Sequence, residues 1–248
     1  MSMHKNKPFK GAGTILIRER KSGENFDEFG NCSALTFAIN ETTSKQKDYR
    51  TIQGGTAASL SQVDDITGSI TGLSYQPSVL QIALRGLVEL VPATPIVDEA
   101  IKLSAGKHIK LAHIPDQTQT ITITDTVGAT DLALGTDFVV VAGMVKITGY
   151  VPATDGTAAT ISYTPIEYYK TKALGSTTLE YEVVFNGYNL AYNDEPVEMV
   201  IHRVKFSAAQ ALDMLNDDFA ELPIEFEVLA DDQATDPNNQ FFEMRMVK

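Results

Sequence analysis

The chain has no tryptophan, a single cysteine, and no apolar run of the 18 or so residues that a membrane-spanning helix requires. It is also short of positive charge, with 20 Lys and Arg against 32 Asp and Glu and a formal net charge of -12. Each shortage excludes something. A lone thiol, Cys32, makes no intramolecular disulfide and no cysteine-based zinc knuckle. Just ahead of an alternating run, it reads as a small buried hydrophobe rather than a nucleophile. Residues 1–10 are polar and basic without the apolar centre of a secretory signal, so the expectation is a chain made in a cytoplasm, with no membrane insertion. The excess of acid argues against ordinary nucleic-acid binding, which needs a basic footprint.

Motifs for chemistry are scarce too. His4, His108, His113 and His202 have no metal-ligand spacing, and Gly106-Lys107 lacks the earlier Gly and the following Ser or Thr of a phosphate-binding loop. Asp231, Asp232 and Asp236 share a polar loop but lack the Gly and terminal Glu of an EF-hand, so a turn is the simpler reading. Glu225 and Glu227, two apart on a strand, lie about 7 Å from each other, near the separation of glycosidase carboxylates. The same alternation recurs at Glu180 and Glu182, as solvated strand faces do. The expectation is a protein that is not an enzyme and has no cofactor, catalytic residue or metal site.

What is present is a β pattern. At 248 residues, 43% hydrophobic and 21% charged, the chain can bury one large core or two smaller ones. Residues 1–12 read as a flexible arm ending in a Gly11-Ala12-Gly13 hinge. A strand over 14–20 and another in which Leu35, Phe37 and Ile39 alternate with Thr36, Ala38 and Asn40 read as an N-terminal hairpin. Residues 41–62, carrying Lys45, Lys47, Tyr49 and Arg50, show no period of 2 or 3.6 and read as an extended loop that orders against a neighbouring subunit. A strand through Ile66 and Ile70 leads to a helix with Pro77 at its first position, an apolar stripe through Val79, Leu80, Ala83 and Leu84, and Gly86 past its end. A strand over 87–91 leaves the domain.

At Val91-Pro92-Ala93-Thr94-Pro95 the composition shifts towards Thr, Val, Ile and Ala, with short strand-like runs at 119–124, 137–141, 144–148 and 158–163 between glycines. That spacing suggests an inserted immunoglobulin-like β-sandwich over 91–168. From 169 the earlier style resumes, making 1–90 and 169–248 two parts of one domain. Tyr181, Val183 and Phe185 alternate with glutamates, and Phe185-Asn186-Gly187-Tyr188-Asn189 reads as a turn. In 197–206 the apolar set changes face, from Val197, Met199 and Ile201 to Val204 and Phe206, as a bend or bulge would produce. Ser207 and Gln210 form a capping box for a second helix bearing Ala208, Ala211, Leu212, Leu215 and Phe219. Ile224, Phe226 and Val228 alternate with Glu225 and Glu227, and a last strand covers 241–247.

The 185–189 segment, the strand Ile201-His202-Arg203-Val204-Lys205-Phe206, the Ser207 segment running into Asp217-Asp218-Phe219, and Phe226-Glu227-Val228-Leu229 together resemble the C-terminal half of major tail tube proteins of long-tailed (siphophage-type) bacteriophages. Gly30-Asn31-Cys32-Ser33-Ala34-Leu35 and the Pro77 helix resemble the N-terminal half. The likeness covers about 10–90 and 169–248, and 91–168 is similar to the immunoglobulin-like decorations that some tail proteins carry. It implies a tail-tube-type β-sandwich or partial barrel with one or two short helices, assembled as hexameric rings stacked head to tail in the virion tail. It also implies tape measure, tail terminator and tail tip proteins as partners, and DNA passing through without specific binding. An acidic lumen would repel phosphates, which makes Glu180, Glu182, Glu225 and Glu227 the candidate lining. Lys45, Lys47, Tyr49 and Arg50 are the candidate contact between rings. Two alternatives stand beside this: an adhesin or capsid-decoration protein that binds cell-surface glycan through aromatics of the insert (Phe138, Tyr150, Tyr163, Tyr168), and a tube protein of a secretion system.

Overall fold

A computed structural model of the chain describes residues 7–20, 22–50, 52, 54–175, 179–234, 236 and 239–247. The first half of the expected arm, His4 included, lies outside them. The fold is mainly β, with 53% strand against 3% helix and no closed barrel among the described residues. Two compact units are present, Met1–Val88 with Thr171–Lys248, and Glu89–Lys170.

The elements of the first unit are β1 (Gly11–Glu19), β2 (Asp27–Glu28), β3 (Cys32–Lys47), β4 (Thr56–Gly72) and α1 (Pro77–Ala83), followed by β5 (Leu87–Val91). The second unit holds β6 (Ile96–Leu103), β7 (His108–Lys110), β8 (Thr122–Asp125), β9 (Thr130–Leu132), β10 (Phe138–Val141), β11 (Met144–Ile147) and β12 (Thr157–Tyr163). β13 (Tyr168–Lys172) pairs with β5 in a small separate sheet, and β14 (Glu180–Asn189), β15 (Glu195–Phe206), β16 (Leu222–Val228) and β17 (Phe242–Met246) return to the first unit.

The first unit is one sheet in the order β2-β1-β14-β15-β16-β4-β3, with β17 also on β15. β16 shows why it folds this way. Leu222, Ile224, Phe226 and Val228 are buried, and the residues between them are exposed. That strict alternation fixes the register, because a one-residue slip would put the whole apolar set in water. Phe226 packs edge-on against Phe37 and Phe206, and Gly68 lies across the ladder from it. A Cβ on Gly68 would sit 2.4 Å from the Phe226 ring and 2.6 Å from the Thr36 carbonyl oxygen, so the bare backbone is what admits the phenyl group. α1 starts at Pro77 and buries Val79, Ile82 and Ala83 on the same core.

The change of face in β15 is a bulge. Between the pairs Tyr181↔Val204 and Val183↔Ile201, β15 holds one residue more than β14. Ahead of the bulge, Val197 to Ile201 pair with β17, and beyond it Val204 to Phe206 pair with β16, so one strand serves two neighbours.

Five expectations are corrected. Gly11-Ala12-Gly13 is no hinge: it is the start of β1, paired with Asn189, Tyr188 and Gly187. β1 and β3 form no hairpin, since β1 pairs with β14 and β2, and β3 pairs with β4. Residues 185–189 are not a turn but the end of β14; Gly187 faces Gly13, and a Cβ on either would meet backbone of the other strand at 2.4 Å. The chain reverses after Asn189 instead, with the N–H of Tyr192 on the Asn189 carbonyl. Of the expected loop over 41–62, residues 41–47 and 56–62 are instead the outer strands of the β3–β4 hairpin.

The fifth correction is the second helix: 207–221 has no regular structure. The Ser207 N–H, which a capping box would give to the Gln210 side chain, goes to the Glu225 carbonyl, and the Ala209 N–H goes to the Ala83 carbonyl, so tertiary partners hold the start of the segment. Leu215 and Phe219 are each 98% exposed and give a helix nothing to pack on, and so short a helix is marginal in water.

The second unit is a sandwich of β6-β12-β8-β9 against β10-β11-β7. Both sheets feed one core, in which Leu103, Ile123, Phe138, Val145, Ile147 and Ile161 are buried. Seven strands in two antiparallel sheets match an immunoglobulin-sized module, while the pairing of the first strand, β6, with the last, β12, is its own arrangement.

Candidate functional site

The β3–β4 hairpin is the first candidate. Beyond Asn40↔Asp65, where the register shifts at Glu41, its ladder continues from Glu41↔Val63 to Lys47↔Thr56 with both faces in water. Seven residues of β3 and eight of β4 extend the ribbon by roughly 24 Å. The Asp48 N–H donates to the Gly55 carbonyl at 2.8 Å and closes its end. Lys45, Lys47, Tyr49 and Arg50 are all exposed there, Tyr49 by 88%, and Ile52, Leu60 and Val63 add exposed apolar surface. Arg50 Nε lies 3.2 Å from a carboxylate oxygen of Asp48. A two-stranded ribbon that buries neither face is marginal alone.

The second candidate is the polar face of the sheet. Glu180, Lys205, Glu227, Thr67 and Ala38 are successive cross-strand partners, so β14, β15, β16, β4 and β3 share one row. Glu182 lies opposite Arg18 on β1, and Glu225 opposite Ser69 on β4. All four candidate glutamates therefore belong to one sheet face, but their surroundings divide them.

Glu180 and Glu182 are held by arginines. Arg203 donates to both oxygens of Glu180, at 2.9 Å from Nε and 2.6 Å from Nη2, and Arg18 donates to Glu182 at 2.8 and 2.6 Å. Arg20, whose side chain is only 8% exposed, places Nη1 3.5 Å from Glu180 and bonds Asp232 at 2.6 Å and Asp231. Burial works to lower the Arg20 pKa, and the bonds and charges of Asp232 and Asp231 outweigh it, so the guanidinium is held above its ordinary value. The bond to Glu180 does the same for Arg203. Glu225 and Glu227 are exposed and without an ion pair among the described residues, beside an open hollow of about 590 Å³ shared with Thr36, Asp65, Thr67 and Ser69.

The arginine clamp was not legible in the sequence, because its members come from β1, β14, β15 and the loop after β16. The Asp231-Asp232 loop does carry a role, as the seat of Arg20. No group of three or more His, Cys, Asp or Glu side chains able to hold a metal occurs among the described residues, and no described helix is long and apolar enough to cross a membrane.

In the second unit the aromatics are occupied. Phe138 and Tyr163 are buried, and Tyr163 donates to Glu99 at 2.7 Å while accepting the His113 N–H. Tyr150 donates to the buried Asp125, which also accepts the N–H groups of Val127 and Gly128 at 2.8 and 3.0 Å. Tyr168 meets the His113 ring nitrogen at 3.1 Å. Tyr169, which the sequence reading did not single out, is the exposed one.

The fold defines the class only as a mainly β protein of two compact units. Residues 8–245 match the model of the family described as protein of unknown function UCP028589, and the chain belongs to that family. No curated protein matches the chain.

Proposed function

We propose that this chain is a structural subunit that assembles with copies of itself into stacked rings forming a tube, as the resemblance to phage tail tube proteins implies. The observation that carries this reading is the β3–β4 hairpin: a long, regular ribbon with both faces and a mixed basic and apolar tip in water, which pays for its order only when a neighbour covers it. Lys45, Lys47, Tyr49 and Arg50 then meet the next ring, where the acidic C-terminal third offers opposite charge. Pairing of open edges around a ring satisfies backbone groups that a single subunit exposes.

The acidic face supplies the conduit. Glu225 and Glu227 keep net negative charge towards the lumen, so DNA phosphates gain no counterion-releasing contact and slide through. Arg18, Arg20 and Arg203 compensate Glu180 and Glu182, which fasten β1, β14 and β15 together rather than repel DNA. In this reading the protein belongs to the virion tail, the rings are hexameric, and tape measure, terminator and tip proteins are its other partners. A secretion-system tube shares this architecture and differs in cargo. The glycan-binding alternative loses support, because the four aromatics it would use are buried or engaged within the second unit. Negative-stain electron microscopy of the purified chain tests the proposal: hollow tubes or rings are expected, and a protein that stays monomeric up to millimolar concentration rejects it.

A further inference from the structure

Two features of the first unit have no part in the tube argument. One is the seam of the curled sheet. On the edge of β1 turned away from β14, Leu16 and Ile17 pair with β2 and the Ile15 carbonyl accepts the Phe29 N–H at 2.8 Å, and β3 has a strand on one side only among the described residues. Strands from both ends of the sheet line a single groove of about 440 Å³, walled by Ile15, Leu35, Phe37, Phe185, Met199 and Met244. That volume suits a few large side chains.

The other feature is the segment 213–221. Tyr75 Oη donates to the Asp213 carbonyl at 3.3 Å and pins its start, and Leu222, paired with Gly72, pins its end. Between these points Met214, Leu215 and Phe219 are 75%, 98% and 98% exposed, interleaved with Asp217 and Asp218 and followed by Glu221. Three large apolar side chains in one short stretch are not scattered surface residues, and their exposure is unfavourable unless something covers them.

We infer that the seam groove receives the 213–221 segment of a second copy of this chain, with Leu215 and Phe219 seated between β1 and β3. The occupant comes from another copy because the chain's own segment leaves these side chains in water. Groove and segment share no residue, so the contact is heterologous and repeats from copy to copy, closing a ring or extending a filament. The inference rests on the self-association reading above and gives it a side-to-side contact distinct from the hairpin tip.

Cys32 lines the groove and is the only native thiol, which makes the contact testable in the full chain. Leu215→Cys and Phe219→Cys are made separately, each with and without Cys32→Ser, and treated with a mild oxidant or a short bis-maleimide. At least one variant is expected to give a ladder of dimers and larger species on non-reducing gels, lost when Cys32 is replaced. Phe219→Asp is expected to raise the concentration needed for self-association at least tenfold. Rings or tubes with no Cys32-dependent ladder from either variant overturn the groove contact and leave the tube reading standing. A ladder without rings or tubes keeps the contact and removes the tube. A monomer linked within itself overturns the second-copy assignment, and a monomer with no link overturns both.

Discussion

The unit Glu89–Lys170 and the unit made of 1–88 and 171–248 settle their groups in different ways. In the former, seven short strands close around one core, the aromatics are buried or bonded, and the buried carboxylate Asp125 has three donors. In the latter, a well-packed core of Phe29, Phe37, Phe206 and Phe226 coexists with a hairpin bare on both faces, an apolar groove and a segment of exposed Met, Leu and Phe. The difference is that the larger unit carries a regular ribbon with neither face buried and three large apolar side chains exposed within six residues, Met214, Leu215 and Phe219. Open edges and apolar patches are liabilities for a lone protein, and in the proposed reading the bare hairpin and the exposed 214–219 segment of the larger unit are the ones that a neighbour covers.

The sharpest way to break this comparison is to strike the core of the larger unit. Phe226→Ala removes a ring in contact with Phe37 and Phe206 and is expected to cost about 3–5 kcal/mol in denaturant unfolding. Gly68→Ala puts a methyl group against the same ring and a carbonyl, with an expected cost of about 1–3 kcal/mol. If both are near neutral, the packing described for β4 and β16 is wrong. The smaller unit, expressed alone as 89–170, should unfold cooperatively and reversibly by circular dichroism; aggregation instead would show that this unit does not stand alone.

The bond from Tyr150, with the two backbone N–H groups, holds the Asp125 pKa below the ordinary carboxylate value. Its stabilising effect is therefore present above the unfolded pKa of about 3.9 and lost as pH falls through the lower folded value. Acid titration of 89–170 should show unfolding that begins below roughly pH 4, and in Asp125→Asn this acid limb should flatten. The smallest effects on stability are expected at the tip of the hairpin. Lys45→Glu with Lys47→Glu, or Tyr49→Ala, should leave monomer unfolding within about 0.5 kcal/mol of the parent while abolishing tubes. Glu225→Lys with Glu227→Lys should leave tubes intact and make them retain DNA, read as nuclease-protected nucleic acid; tubes that stay free of DNA place these residues away from the lumen.

Local pattern made part of this legible. The alternation in β16 and the Pro77 start of α1 state their own burial, and the face change in 197–206 announces a break in the period of two, which the structure resolves as a bulge. The hairpin at 41–62 was missed for the opposite reason: a ribbon with both faces in water has no apolar face and so no period to read. Asn186-Gly187 carries the sequence signature of a turn, yet Gly187 is there because Gly13 lies across from it, a contact 174 positions away along the chain. Ser207 to Phe219 has the capping box and spacing of a helix, and lost that structure to the carbonyls of Glu225 and Ala83.

The sequence by itself determined a mainly β chain, the faces of its half-buried strands and one short helix, because burial on one side imprints a period on the residues. Which strands pair, where the sheet leaves its seam, and which glutamates are matched by arginine were decided only in three dimensions. Partners in a sheet are chosen by register and shape between distant segments, and neither leaves a local trace.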